Sequence, residues 1–170
     1  FLLEGALLAR RQAPGLKRLF AFMAWPGYRP GLWTLLCDEA QRGQLDNQVS
    51  ISGYDSNPAA VATARDNCER SGNSERVRID PLSLADQPVH DGRGLVVCNP
   101  PYGIRMAQNK DLAAFYKQLG DFLKKRCRRS TAFIYFGERA YIKRIGLKPS
   151  WKKPLATGGL DGRLVKYELY

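Results

Sequence analysis

The pattern of apolar and polar positions predicts strands and helices that alternate along most of the chain. Residues 49–55 alternate as a half-buried strand does, and Asn57-Pro58 marks a helix start because proline lacks only an N–H that is unpaired there anyway. Residues 94–98 form a continuous apolar run, which is typical of a strand covered on both faces. The same reasoning predicts an opening helix that ends before Pro14, helices over 32–42 and from a cap at Asp111, and strands over 76–80 and 131–136.

Two closing segments complete the predicted sheet. Residues 151–155 and 164–169 are separated by a turn-rich stretch, Gly158-Gly-Leu-Asp-Gly162, and we expect them to pair antiparallel at a sheet edge. Strand–helix alternation followed by such a hairpin predicts an α/β fold with a mostly parallel sheet. At 170 residues, the chain is predicted to form one domain over residues 1–170.

Charge narrows the choice of partner. The chain carries 27 Lys and Arg against 16 Asp and Glu, a formal charge of +11. Such an excess favours a polyanion, because Lys and Arg release condensed counterions when they neutralise phosphates. No apolar run is long enough to cross a membrane. A single histidine and four cysteines without a C-x-x-C pair predict no metal site, and they fit a cytoplasmic protein with reduced thiols.

Asp55 closes the first predicted strand of the alternating pattern. Ligands of open parallel sheets bind at the carboxyl ends of strands, where a carboxylate can accept both hydroxyls of a ribose. The alternative is that Asp55 caps the following helix through Ser56 and Asn57. The sequence leaves the two interpretations evenly weighted.

Asn99-Pro100-Pro101-Tyr102 follows the apolar run directly and indicates more specific chemistry. Two prolines keep the backbone extended, so the Asn99 amide oxygen and the Pro100 carbonyl can serve as fixed acceptors. A planar amino group on a nucleobase has two hydrogens to donate, and Tyr102 offers a ring for stacking. The alternative is a proline-stiffened loop with no chemical role. We favour a site that binds the exocyclic amine of a base.

Two clusters of basic residues bear on how a polyanion would bind. Residues 124–129 end a helix, where cations complement the helix dipole and stay solvated. The second cluster is the better candidate for a surface that faces nucleic acid, and it consists of Lys143, Arg144, Lys148, Lys152 and Lys153.

With these motifs in place, the chain resembles a known family, the THUMP-associated ribosomal RNA guanine methyltransferases. These are class I enzymes with an N-P-P-Y motif. The matching segments are FLLEGALLA, GYDSNPAAVATARDNCERSG, VVCNPPYGIRM and KKPLATGGLDGRLVKYELY, which together span almost the whole chain. The Gly103-Ile-Arg105 extension resembles the RNA guanine enzymes rather than the protein glutamine methyltransferases of release factors.

The resemblance implies a Rossmann-like class I methyltransferase fold, with S-adenosylmethionine as cofactor and ribosomal RNA as substrate. It implies cofactor contacts from Asp55, Ser56 and Asn99, and from Ser83 where the family usually has an Asp that accepts the adenine amine. It assigns the catalytic role to Asn99–Tyr102. It also implies that Tyr102, Gly103 and Arg105 contact the RNA nucleotide or its phosphate.

The resemblance further implies that a strand and the family's glycine-rich loop precede Phe1. In that family the strand lies between those that end here at Asp55 and Asn99. We therefore expect that the chain either borrows a strand or is part of a longer protein, with an upstream THUMP domain.

Three rival functions stay open. A DNA adenine methyltransferase would use the same four residues. A protein glutamine methyltransferase shares the N-P-P-Y core, but the positive charge disfavours it. A non-catalytic RNA-binding fragment is the third, because the glycine-rich loop does not occur in this sequence.

Overall fold

The computed structural model describes residues 1–16, 18–46, 49–90, 92–102 and 112–170. The chain divides into two compact units, an N-terminal unit over Phe1–Pro81 and a C-terminal unit over Leu82–Tyr170. Each unit contributes its own sheet. The expectation of one methyltransferase domain over residues 1–170 stays a prediction.

The N-terminal unit is a two-stranded parallel sheet with helices. Strands β1 and β2 pair in parallel, with Ile51 opposite Val77 and Tyr54 opposite Asp80. Its elements are α1 (Leu2–Ala9), a 3-10 helix (Ala21–Ala24), α2 (Pro30–Arg42), β1 (Ile51–Tyr54), α3 (Pro58–Arg70) and β2 (Val77–Asp80). The predicted elements are confirmed with small shifts in their ends, and α2 starts two residues early because Pro30 takes its first helical position.

The core of the N-terminal unit is small. Its buried side chains come from α1, α3 and β2, and Leu2 packs against them. Gly53 in β1 is required for this packing, because a Cβ there would lie 2.3 Å from Leu2 Cδ1. The buried set is Ala6, Val61, Cys68, Val77 and Ile79.

The C-terminal unit is a four-stranded mixed sheet in the order β3-β4-β6-β5. Strand β3 pairs with β4 in parallel, whereas β6 pairs antiparallel with both β4 and β5. Its elements are β3 (Leu95–Cys98), α4 (Leu112–Arg126), β4 (Thr131–Phe136), a 3-10 helix (Arg139–Ile145), β5 (Trp151–Thr157) and β6 (Leu160–Glu168). The prediction of an α/β fold with parallel strands and a C-terminal antiparallel hairpin at a sheet edge is confirmed. The hairpin strands are longer than predicted and leave only Gly158 and Gly159 between them.

Helices cover one face of this second sheet. Side chains of α4 and of the 3-10 helix Arg139–Ile145 share one core with Ala132, Ile134 and Phe136 of β4. On β3, the alternation of a strand turns Val96 and Cys98 toward that core, while Leu95 and Val97 are 66% and 50% exposed. The expectation that residues 94–98 are covered on both faces is therefore wrong, because both helical elements of this unit pack on the same face. The predicted helix cap at Asp111 lies outside the described residues.

Candidate functional site

Asp55 stands at the carboxyl end of β1 and forms a local turn. Its Oδ1 accepts a hydrogen bond from the backbone N–H of Asn57 at 2.8 Å, and its own N–H donates to the Asp80 carbonyl of β2 at 3.4 Å. The side chains of Asp55 and Ser56 are exposed. In the part of the chain that the structure describes, no hydrogen bond engages Asp55 Oδ2, so one carboxylate oxygen is available to a ligand.

The cap of α3 is Asn57 rather than Asp55. The Asn57 side chain accepts from the N–H of Ala59 at 3.0 Å, and Pro58 takes the first helical position. The predicted helix start is thus confirmed, and the alternative that Asp55 itself caps the helix is not what forms. Asp55 instead orders the turn that leads to the cap.

Ser83 lies in the loop that opens the C-terminal unit. Its hydroxyl donates to the Asp86 carboxylate, and the Asp86 N–H donates to the Ser83 carbonyl at 3.1 Å. The Ser83 hydroxyl therefore donates its proton to the hydrogen bond with Asp86, while the lone pairs of its oxygen can accept a hydrogen bond from a ligand. A carboxylate that takes the proton also makes the hydroxyl oxygen a stronger acceptor. Asp86 places negative charge beside the position where the resemblance implies an acid.

Asn99 to Tyr102 follow the carboxyl end of β3. The Asn99 side chain is exposed, Pro100 is buried, and Pro101 and Tyr102 are half-buried. No hydrogen bond among the described residues involves the Asn99 amide oxygen or the Pro100 carbonyl, so neither oxygen is occupied by a partner in these ranges. Burial raises the pKa of the adjoining Cys98 thiol to about 11, so this residue is a neutral thiol near pH 7 and no nucleophile.

A buried tyrosine of α4 holds the second proline. The Tyr116 hydroxyl donates to the Pro101 carbonyl at 3.1 Å, and its ring stacks on Tyr141 at 4.6 Å between centroids. Burial is the largest cause that raises the Tyr116 pKa well above its usual range. The hydroxyl therefore stays protonated and continues to donate at any pH near neutrality.

Tyr102 is held by β4 and by the residue that follows it. Its ring meets Tyr135 edge-to-face, with centroids 5.6 Å apart and an interplanar angle of 71°. Gly137 lies directly beneath the ring, where a Cβ would come within 2.4 Å of Tyr102 Cδ2. Only glycine leaves room for the ring in this position.

The structure thus distributes the predicted site residues over both units. Asp55 and Ser56 belong to the N-terminal unit, whereas Ser83 and Asn99–Tyr102 belong to the C-terminal unit. Gly103 and Arg105 lie outside the described residues. The supporting residues were missed from sequence, and they are Tyr116, Tyr135, Gly137 and Asp86.

Among the residues that the structure describes, no three His, Cys, Asp or Glu side chains are grouped so that they could hold a metal ion. All four cysteines are free, with Cys68 and Cys127 buried. Within the same described ranges, no helix is long and apolar enough to span a membrane.

Comparison with known proteins identifies the family. The model of the family described as "UPF0020: RMKL-like, methyltransferase domain" matches residues 1–166. The chain belongs to this family. It is 38% identical over 172 residues to the Synechocystis sp. protein slr0064, named as an RNA methyltransferase, with coverage of 100% of this chain and 45% of that protein. It is 35% identical over 173 residues to the ribosomal RNA large subunit methyltransferase K/L of Pseudomonas fluorescens, with coverage of 97% and 23%.

Solved structures establish the class I methyltransferase fold for this member of the UPF0020 family. The methyltransferase SMU.472, crystallised with SAH, superposes with a TM-score of 0.92 at 29% identity, over 100% of this chain and 45% of that one. A Listeria monocytogenes protein described as a predicted N6-adenine-specific DNA methylase gives a TM-score of 0.87 at 25% identity, over 99% and 43%. The chain therefore spans between 23% and 45% of the length of these relatives.

Proposed function

We propose that this chain transfers a methyl group from S-adenosylmethionine to the exocyclic 2-amino group of a guanine in RNA, with 23S ribosomal RNA as the substrate. The observation that carries the proposal is the Asn99–Pro100 acceptor pair at the end of β3, exposed on its asparagine side and anchored through Pro101 and Tyr102. Family membership supports methyl transfer, and the formal charge of +11 supports a nucleic-acid substrate.

The residues present fit the proposed cofactor. Asp55 keeps one uncommitted carboxylate oxygen for a ribose hydroxyl, with Ser56 exposed beside it. Ser83 presents a hydroxyl oxygen whose proton is held by Asp86, which suits it to accept an adenine amine. When bound, S-adenosylmethionine supplies an electrophilic methyl group. The cofactor assignments of Asp55, Ser56, Ser83 and Asn99 are part of this proposal.

The two acceptor oxygens position the guanine amine for methyl transfer. Asn99 Oδ1 and the Pro100 carbonyl each accept one hydrogen of the guanine amine, which opposes delocalisation of the nitrogen lone pair into the ring. The same two oxygens stabilise the positive charge that develops on nitrogen as the new bond forms. Tyr102 stacks on the base once it has left the RNA helix. Most of the rate then comes from orientation, and no strong base is needed because the cationic amine is acidic.

The first experiment removes one acceptor. Asn99→Ala in the complete protein should lower methyl transfer to RNA by about 100-fold or more, as removal of one preorganised polar group typically does. Calorimetric affinity for S-adenosylmethionine should fall far less than turnover, because Asp55, Ser56 and Ser83 keep their proposed cofactor contacts. Asn67→Ala is the matched control, since Asn67 is an exposed asparagine of α3 far from β3 in sequence. Normal turnover of the Asn99 variant would refute the acceptor assignment.

A second experiment tests the guanine amine itself. An RNA substrate with inosine in place of the target guanosine lacks the 2-amino group and should accept no methyl. Mass spectrometry of nucleosides from the guanosine substrate should show a methyl on that amine. Methylation of the inosine RNA would contradict the proposed acceptor atom.

One structural neighbour favours a second candidate function, because it is described as an adenine-specific DNA methylase. Competition between duplex DNA and ribosomal RNA for methyl transfer separates the two substrates. A non-catalytic RNA-binding role would instead give RNA binding without methyl transfer and without cofactor affinity.

A further inference from the structure

The segment that joins β4 to β5 and enters β5 has an unusual charge. From Arg139 to Lys153 the sequence contains six Lys and Arg residues and no acid. All six are exposed, and Arg139 pairs with Asp161. We call the other five the cationic segment: Lys143, Arg144, Lys148, Lys152 and Lys153.

The charges of the cationic segment are uncompensated. Among the described residues, none of the five forms an ion pair, whereas nearby cations of the same unit do. Arg139 and Arg163 both pair with Asp161, and Lys166 pairs with Glu168 at 2.6 Å. A row of unpaired cations repels itself unless an anionic partner neutralises it. The absence of acids here therefore points to a partner that supplies many negative charges.

The paired backbone of β5 fixes the positions of two residues of the cationic segment. Lys152 and Lys153 pair in register with Val165 and Leu164 of β6, and they point to opposite faces of the edge strand β5. Lys153 Nζ lies 5.0 Å from the ring centroid of Trp151, and that ring packs against Phe133 at 5.7 Å. Because an aromatic ring holds the ammonium by a cation–π contact, less side-chain entropy is lost when Lys153 binds an anion.

Two residues of the other basic cluster, residues 124–129, have partners within the protein. The Arg126 guanidinium donates to the Gln87 carbonyl at 2.6 Å, and Lys124 pairs with Asp121 at 3.7 Å. The cluster also ends α4, where cations complement the helix dipole. Lys124 and Arg126 therefore have polar partners within the protein, whereas no residue of the cationic segment has an ion pair or a side-chain hydrogen bond among the described residues.

We propose that the cationic segment binds the phosphate backbone of the RNA substrate, away from the nucleotide that is modified. The inference rests on the proposed function for the identity of the polyanion. Lysines suit this role as point charges that contact phosphates without reading sequence. The segment supplies affinity, while Asn99–Tyr102 supplies the chemistry.

The test neutralises three charges at once. The variant Lys148→Gln, Lys152→Gln, Lys153→Gln should reduce the slope of log affinity for RNA against log salt by about 2, and weaken binding roughly tenfold at physiological salt. KM for RNA should rise while kcat at saturating RNA and affinity for S-adenosylmethionine stay the same.

The matched control removes the same number of charges elsewhere. Lys125→Gln, Arg128→Gln, Arg129→Gln carries equal net charge and should keep the salt slope within about one unit of the unmodified protein. An equal loss in both variants would overturn the proposal, because net charge alone would then explain it. An unchanged salt slope in the first variant would also overturn the proposal. So would a first variant that loses binding to anionic phosphatidylserine vesicles but keeps its affinity for RNA. If the unmodified protein fails to methylate any RNA, the proposed function fails instead.

Discussion

Two strand ends carry predicted site residues, one in each unit, and they are held in place by different kinds of contact. At the end of β1, Asp55 is fixed by a hydrogen bond to Asn57, two residues along the chain. At the end of β3, Pro101 and Tyr102 are fixed by Tyr116 of α4 and by Tyr135 and Gly137 of β4 and its end. The first is a local turn, and the second is a loop held by the core.

Because their supports differ, the two strand ends should be sensitive to different kinds of substitution. A local turn reforms whenever its own contacts are kept, so a substitution at Asp55 that retains the accepting oxygen should act on ligand contacts alone. A loop held by distant residues depends on the packing of a whole core, which tolerates little change in volume. Positions remote from Asn99 should therefore affect turnover. Three substitutions test this comparison.

The largest effect should come from Gly137→Ala. The added Cβ would overlap Tyr102 Cδ2, Cγ and Cε2 at 2.4 to 2.9 Å, so the ring must move. Overpacking of this kind costs about 1–3 kcal/mol of folding stability, and a displacement of about 1 Å in a catalytic group can lower kcat about 100-fold. Methyl transfer at saturating RNA measures the loss, and calorimetry should show unchanged cofactor affinity.

A double-mutant cycle shows whether the Gly137 effect passes through the tyrosine ring. With Tyr102→Ala already in place, Gly137→Ala should cost little more, because the ring it would strike is gone. Gly31→Ala is the control for adding a methyl group, since nothing lies within 4 Å of its Cβ position. Additive losses in the cycle would show that Gly137 acts by some route other than Tyr102.

An intermediate effect is expected from Asp55→Asn. Asparagine keeps the oxygen that accepts from the Asn57 N–H, so the turn and the thermal midpoint should be preserved. It removes the charge that strengthens a hydrogen bond to ribose, and affinity for S-adenosylmethionine should fall about tenfold. Isothermal titration measures the affinity and a thermal melt the stability. A midpoint several degrees lower would show that the end of β1 depends on more than its local turn.

The smallest effect is expected from Tyr116→Phe. The ring stack on Tyr141 is kept, but the Pro101 carbonyl loses its donor, at a cost of about 1 kcal/mol and about fivefold in kcat. Because burial raises the Tyr116 pKa, the difference between the two proteins should not vary between pH 6 and about 9.

Tyr167→Phe is the matched control. Tyr167 is as fully buried as Tyr116, but its hydroxyl has no hydrogen-bond partner in the described parts of the chain. Removal of that hydroxyl should leave turnover unchanged and stability equal or slightly higher. Equal losses in the two variants would contradict the role given to the bond between Tyr116 and Pro101.

The sequence allows the local parts of this structure to be predicted. Asn57 and Pro58 predict the start of α3, and the alternation of apolar and polar residues before Asp55 predicts β1. Both predictions succeed because each signal lies within a few residues of its element. The Asn99–Tyr102 motif was found for the same reason. The residues that support this motif could not be predicted, because nothing in the sequence around Gly137 or Tyr116 indicates that folding brings them into contact with it.

The exposed faces were also beyond prediction. The apolar run of β3 predicts burial on both sides, but which side a helix covers depends on where α4 packs, and α4 lies beyond the strand in sequence. Likewise, the sequence predicts that Gly162 belongs to a turn, yet it lies within β6. A glycine is needed there because the Tyr135 side chain occupies the space where a Cβ would be.

Strand β5 is an open edge of the C-terminal sheet. It ends the order β3-β4-β6-β5, so one row of its backbone groups has no neighbouring strand in the C-terminal unit. Such an edge invites pairing with a second copy unless something prevents it. Pro154 offers no N–H there, and Lys152 and Lys153 would repel the same residues of another molecule. Proline and charge therefore disfavour pairing of β5 with a second copy without covering the strand, which leaves it accessible to the RNA backbone that we propose it binds.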